Sequence, residues 1–118
     1  MIAHVVLFRP KPDLSTEDRR ALVNAFERAV RDIPSVRAVR VGRRVTHGAG
    51  YEQAMPDTGE FLIVIDFDDV KGLQAYLRHP VHQELGERFY QSLTSTFIYD
   101  FEAGGVEGVR LLGWFHGG

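Results

Sequence analysis

Cysteine is absent from the 118 residues of the chain, and lysine is rare, with Lys11 and Lys71 the only two. Without cysteine the chain can form no disulfide, thiolate nucleophile or thiolate metal site, which suits a reducing cytosol. No apolar run approaches the ~20 residues that a membrane-spanning helix needs, and the N-terminus lacks the features of a signal peptide. We therefore predict a cytoplasmic location and no membrane partner.

Large fields of one charge are also missing. The net charge is −2, and acidic and basic residues are mixed along the chain, so nothing favours a nucleic-acid partner. The chain has no GxGxxG after a strand, no P-loop, no GxSxG and no HExxH. Nucleotide and dinucleotide chemistry is therefore not expected, and we predict no cofactor and no metal.

The pattern of apolar residues predicts four strands and three helices. Strands are expected at residues 2–9, 39–45, 61–67 and 96–101, with a long loop at 46–60. The helices are expected to begin at Ser15 or Thr16, at Asp68 or Asp69, and at Pro80. Their apolar faces consist of Leu22, Phe26, Ala29, Val30 and Ile33, then Val70, Leu73 and Leu77, then Val81, Leu85, Phe89 and Leu93.

The element order is β-α-β-β-α(α)-β, which is typical of the ferredoxin-like α+β fold. This fold has a four-stranded antiparallel sheet with helices on one face. We predict one such domain over residues 1–102, followed by a glycine-rich extension over residues 103–118. The face of the first strand that carries Ile2, His4, Val6 and Phe8 is assigned to the interior of a barrel.

Two of the strands are apolar on both faces, although the helices cover only one face of the sheet. The second face carries Ala3, Val5, Leu7, Leu62 and Val64. An exposed apolar patch of this kind is rare in monomers, so we predict a homodimer whose two sheets close into an α/β barrel. The alternative is that the apolar residues 111–115 of the extension fold back over this face.

Five segments together resemble one known family. They are the opening strand IAHVVLFR, the helix end DIPSV, the strand FLIVIDF, the joint AYLRHPVHQEL and the closing strand FIYDFE. The chain resembles the stress-responsive α/β-barrel (Dabb) family from about residue 2 to residue 102. The resemblance implies a ferredoxin-like chain that forms a dimeric α+β barrel. Many members of the family have no established activity, so the resemblance implies the fold more strongly than a reaction.

The resemblance also implies a set of site residues. Tyr76 and His82 match the catalytic pair of a plant polyketide cyclase in this family, and His4 matches a pocket histidine. Phe26 and Phe61 stand where that cyclase has a tyrosine and a histidine, so the implied pocket is less polar. Some plant relatives bind a cation through backbone carbonyls, and the matching positions here are Val30, Ile33 and Val36.

Each of these side chains also has a structural interpretation. His82 is either a general base or a hydrogen-bonded helix histidine, and Tyr76 is either a donor to an enolate oxygen or a core aromatic. For His79, which precedes Pro80, we favour a bond to a helix terminus. His4 lies among apolar neighbours, so it is either a hydrogen-bonded core residue or part of a pocket.

Three functional hypotheses follow. The first is a cofactor-independent small-molecule enzyme or binder that removes a proton next to a carbonyl, as a cyclase, isomerase or lyase would. The second is a non-catalytic, stress-associated dimer, and the third is a cofactor-free monooxygenase. The first requires a cavity of roughly 300 Å³ or more, between sheet and helices, that both Tyr76 and His82 reach.

Overall fold

The chain folds as one antiparallel sheet with helices on one face, as given by a computed structural model for residues 1–57 and 59–108. The strands are β1 (Ile2–Pro10), β2 (Ala38–Arg43), β3 (Phe61–Phe67) and β4 (Leu93–Glu102), in the spatial order β2-β3-β1-β4. The helices are α1 (Thr16–Asp32), α2 (Tyr51–Ala54), α3 (Val70–Arg78) and α4 (Pro80–Ser92). The predicted ferredoxin-like α+β class is confirmed. None of the helices in these ranges has the length and apolar character needed to span a bilayer.

Short polar side chains fix where the helices begin. The Ser15 hydroxyl accepts a hydrogen bond from the backbone N–H of Asp18 at 3.0 Å, which caps α1. The Asp69 carboxylate accepts one from the N–H of Gly72 at 2.9 Å, which caps α3. Both positions were among the predicted caps, because a side-chain oxygen satisfies N–H groups that the first turn leaves unpaired.

The core lies between the helices and one face of the sheet. On this face Ile2, His4 and Val6 of β1 are buried and pair in register with Phe67, Ile65 and Ile63 of β3. From the helices, the buried residues are Ala25, Ala29, Leu73, Tyr76 and Leu85. The assignment of this face to a barrel interior is wrong, because the apolar sides of α1, α3 and α4 cover it.

The opposite face of the sheet is left open by α1, α3 and α4, and in the described ranges only α2 and its loop lie near it, where they border a cleft with Leu7 and Leu62 at one end. Ala3, Val5 and Leu7 of β1 lie here, each only partly buried. On β4, which pairs with β1, Tyr99 and Phe101 are 55% and 53% exposed. The predicted two-sided apolar character is therefore present. The apolar residues 111–115, the alternative cover, lie outside the described residues.

Several details differ from the sequence prediction. Strand β2 ends at Arg43, so Val45 is exposed in the following loop, and that loop contains the short helix α2. Helix α4 ends at Ser92, so Leu93 begins β4 instead of closing the helix. In α3, Leu73 and Tyr76 are buried, whereas Val70 and Leu77, which were predicted on the inward face, are exposed. Spacings of three and four residues both share one side of a helix, and the packing of Tyr76 against Phe67 decides that Tyr76 lies inside.

Candidate functional site

His79 joins α3 to α4. Its backbone ends α3, and its ring nitrogen Nδ1 accepts a hydrogen bond from the N–H of Val81 at 3.1 Å, which caps α4. Pro80 occupies the first turn of α4, where its missing N–H has no helical partner to lose. The predicted structural role of His79 is therefore present, and the break turns Tyr76 and His82 toward the same space.

Tyr76 lies between two histidines. Its ring centroid is 4.6 Å from that of His82 and 6.0 Å from that of His4. The Phe67 ring, at 5.2 Å, packs against a further part of the tyrosine. Tyr76 is only 2% exposed. The three predicted site residues His4, Tyr76 and His82 are brought together by three separate elements, β1, α3 and α4.

Burial sets the protonation of this group. It raises the pKa of Tyr76 from 10.0 to about 12, which extends the pH range over which the phenol keeps its proton. Burial is also the main cause that lowers the pKa of His82 from 6.5, and the nearby charge of His4 lowers it further. A backbone hydrogen bond at Leu77 acts in the opposite direction. The arrangement pairs a hydrogen-bond donor with a histidine that favours its neutral form.

His4 is held by a carboxylate. Its Nδ1 lies 2.6 Å from Oδ1 of Asp100, the residue directly across from it in the β1–β4 register. The His4 side chain is 6% exposed and that of Asp100 is 43% exposed, so the carboxylate is partly hydrated. An Nδ1–H that donates to Asp100 leaves the lone pair on Nε2 free.

Asp100 is a site residue that the sequence analysis missed. The alternation of FIYDFE places it on the same strand face as Ile98, which was visible in the sequence. Its partner, however, lies 96 positions away, and only the β1–β4 register identifies His4 as that partner.

A cavity of about 160 Å³ borders the group. His4, Tyr76 and His82 all line it, and so does Phe26. Its volume is smaller than the roughly 300 Å³ expected of a ligand pocket, so that expectation is wrong for this space taken alone. The remaining lining residues are Val6, Ile63, Ile65, Leu85, Gly86, Phe89, Tyr90, Thr96 and Ile98.

A larger cleft of about 660 Å³ adjoins the cavity. Phe26, Ile63 and Phe89 line both spaces, which makes them neighbours. Phe61 lines this cleft but not the cavity with the histidines, and it stacks on Phe8 at 5.6 Å. The five predicted residues therefore divide, with four at the cavity and Phe61 in the apolar cleft beside it.

The comparisons with known proteins agree with this fold. The family model of the stress responsive A/B barrel domain matches residues 2–103. The chain belongs to the stress-responsive A/B barrel domain family. Residues 104–118 extend beyond the matched segment, and no curated protein matches the chain significantly.

Solved structures similar to this family member share its fold. A protein from Arabidopsis thaliana has a TM-score of 0.73 at 22% identity, covering 90% of this chain and 98% of its own. For a dimeric ferredoxin-like protein of unknown function from Thermobifida fusca, the TM-score is 0.66 and the identity 22%, and the match covers 86% of this chain and 90% of the other. For a hydroxynitrile lyase from Passiflora edulis, the TM-score is 0.74 and the identity 13%, and the match covers 89% of this chain and 94% of the other.

Side chains that could hold a metal ion are not clustered in the part of this A/B barrel chain that the structure describes. Within residues 1–57 and 59–108, no cluster of three or more His, Asp or Glu side chains is placed to hold an ion. Of the three backbone positions suggested by plant relatives, the Ile33 carbonyl already accepts a hydrogen bond from the N–H of Val36 at 3.3 Å. No step below depends on a metal.

Proposed function

We propose that this A/B barrel protein is a cofactor-independent small-molecule enzyme that removes a proton next to a carbonyl group. The observation that supports this is the protonated Tyr76 between two histidines, one of them biased toward its neutral form, at the wall of a cavity. The same first step serves cyclases, isomerases and lyases. The hydroxynitrile lyase from Passiflora edulis is by its name a lyase on the same fold.

In the proposed step, neutral His82 takes a proton from the carbon next to the carbonyl group. The electron pair of the broken C–H bond moves onto the carbonyl oxygen and forms an enolate. Tyr76 donates a hydrogen bond to that oxygen, where negative charge develops. Return of the proton from His82 to carbon restores the ketone. Attack of the enolate carbon on a second carbonyl carbon instead forms an alkoxide, which takes the proton from His82 and becomes the aldol product.

His4 and Asp100 support this pair in the proposal. The hydrogen bond from His4 to the Asp100 carboxylate holds the imidazole in one orientation beside Tyr76. His4 and Phe26 are proposed to contact the ligand in the cavity, and Phe61 to contact a part of it that extends into the adjoining cleft.

A homodimer in the cytoplasm is part of the same proposal. The open sheet face carries the exposed Tyr99 and Phe101, and a second copy of this face would cover them. The structural relatives from Thermobifida fusca, Bacteroides fragilis and a Jannaschia species are described as dimeric, which supports the arrangement.

Hydrogen exchange at the carbon next to a ketone tests the chemistry without knowledge of the natural substrate. The wild-type protein should accelerate exchange of phenylacetone in D₂O, followed by proton NMR. We expect His82→Ala to slow it by ~10²-fold or more and Tyr76→Phe by ~10²-fold. Because the pKa of His82 is lowered, the rate should rise with pH to a plateau through a midpoint below 6.5.

His47→Ala is the matched control, because His47 is an exposed histidine that contacts Tyr51 in the loop after β2. It should leave exchange unchanged. Melting curves of all variants verify that the fold is intact. If folded His82→Ala retains the wild-type rate, the proposed base is wrong. If the wild-type protein neither exchanges nor binds ketones, the non-catalytic dimer is favoured instead.

A further inference from the structure

Gly86 lies in the interior of α4, which is an unfavourable position for glycine. The helix runs from Pro80 to Ser92, so Gly86 is more than one turn from either end. Glycine there costs roughly 0.5–1 kcal/mol relative to alanine, because it loses more backbone freedom on folding. A glycine in such a place calls for a physical reason.

Glycine is commonly required by a positive φ angle or by the close approach of another chain segment, and each of these occurs at another glycine of this chain. Gly48 has a φ of 89°, which residues with a side chain rarely adopt. At Gly59 a Cβ atom would lie only 3.1 Å from the Cβ of Leu7, so the close approach of β1 excludes a side chain. Neither reason applies to Gly86, because its backbone is helical and a Cβ there would meet nothing within 4 Å.

The empty space beside Gly86 belongs to the cavity of the candidate site. Gly86 lies four residues after His82 and four before Tyr90, so the three share one side of α4, and all three line the cavity. At this end the lining residues are exposed, with Tyr90 at 84% and Ile98 at 52%. The cavity therefore opens to solvent between α4 and β4, past Gly86.

We propose that Gly86 determines the size of the ligand by leaving this opening free. The ligand class is a carbonyl compound with an apolar substituent, such as a phenyl or short alkyl group. Its reacting carbon lies among His4, Tyr76 and His82. The substituent on one side of the carbonyl group passes over Gly86 toward Tyr90 and Ile98, while any group on the other side extends past Phe26 into the cleft. This inference rests on the proposed function, since it concerns the same cavity.

The volume and lining of the cavity support this assignment. At about 160 Å³ the space beside the histidines is small, so a larger ligand has to extend out of it. The exposed aromatic ring of Tyr90 and the exposed Ile98 side chain provide apolar surface on both sides of the opening. A side chain at position 86 would project into this passage.

The test compares a small ketone with a large one. Exchange rates of acetone and phenylacetone in D₂O are measured for the wild type, Gly86→Ala and Gly86→Leu. We expect the ratio of kcat/KM for phenylacetone to that for acetone to fall at least tenfold in Gly86→Leu, and less in Gly86→Ala. Without ligand, Gly86→Ala should melt a few degrees higher, because alanine favours the helix.

Glu87→Leu is the matched control, because it adds the same side chain at the neighbouring exposed position. It should leave the ratio unchanged. A wild-type ratio in folded Gly86→Leu overturns the assignment while leaving the proposed function in place. Equal loss of both activities, with conversion of a dimer to a monomer in sedimentation, would overturn it in favour of a subunit contact. A wild-type protein that neither exchanges nor binds either ketone refutes the proposed function and this inference together.

Discussion

Tyr76 should keep its proton at a pH where an exposed tyrosine has already lost it. Its side chain is 2% exposed, and burial raises its pKa from 10.0 to about 12. A phenolate at this position would lose its hydration without gaining a compensating partner. The proposed role as a donor to an enolate oxygen depends on this proton, so its retention is worth measuring directly.

The raised pKa has a defined effect on the stability of the fold. Above pH 10 the unfolded chain releases the Tyr76 proton while the folded chain keeps it, so stability falls as pH rises from about 10 to about 12. A pKa shift of about two units contributes roughly 3 kcal/mol to the free energy of unfolding. About 1.4 kcal/mol of this contribution is lost when the pH reaches about 11.

Urea unfolding of the wild type and Tyr76→Phe, at a pH of about 9 and again at about 11, measures this contribution. Phenylalanine has no proton to lose, so the variant should lose about 1.4 kcal/mol less stability between the two conditions than the wild type. Tyr90→Phe is the matched control, since Tyr90 is 84% exposed, and it should behave like the wild type.

Equal losses of stability in the wild type and Tyr76→Phe would refute the reasoning. So would an absorbance titration of the folded protein in which all four tyrosines ionise together near a pH of about 10. Either result would mean that water reaches the phenol, and Tyr76 would then lack the buried environment in which its hydrogen bond to an enolate oxygen is strongest.

Two further predictions concern Asp100 and the open sheet face. Asp100→Asn keeps the size of the side chain but removes its charge from His4, and we expect ketone exchange to slow about tenfold. An unchanged rate in the folded variant would show that this hydrogen bond has no part in the chemistry. Val64→Arg puts a charge on the open face and should give a folded monomer in sedimentation, whereas Val70→Arg, on the exposed side of α3, should not. A Val64→Arg protein that stays dimeric would contradict the proposed interface.

Local patterns in the sequence were sufficient for most of the fold. The strand FLIVIDF is strongly apolar, and Ser15 and Asp69 precede amphipathic runs, so their structural roles depend on near neighbours in the chain. The joint at His79 and Pro80 was predictable for the same reason, because proline restricts the residue before it and suits the first turn of a helix. The prediction that Leu93 belongs to the last helix was wrong, because the helix and strand patterns overlap at that position.

The candidate site was only partly predictable. Tyr76, His82 and His4 were predicted as site residues by resemblance to a family, but the distances between them could not be predicted. The pairing of His4 with Asp100 depends on strand register, and the position of Phe61 in the cleft depends on how α1 packs over the sheet. The assignment of the His4 face was wrong because alternation separates two faces without saying which one the helices cover.

Local sequence patterns were sufficient to predict the order of elements, the caps to within one residue, the break between α3 and α4, and the two apolar faces of β1 and β3. Each of these follows from residues within one or two turns, where backbone sterics and apolar periodicity act. Tertiary structure alone decided which face became the core and which side chains meet there. It also decided that Gly86 borders the cavity, because only the packing of α4 against the sheet brings the side of α4 that carries His82, Gly86 and Tyr90 close to His4 and Tyr76.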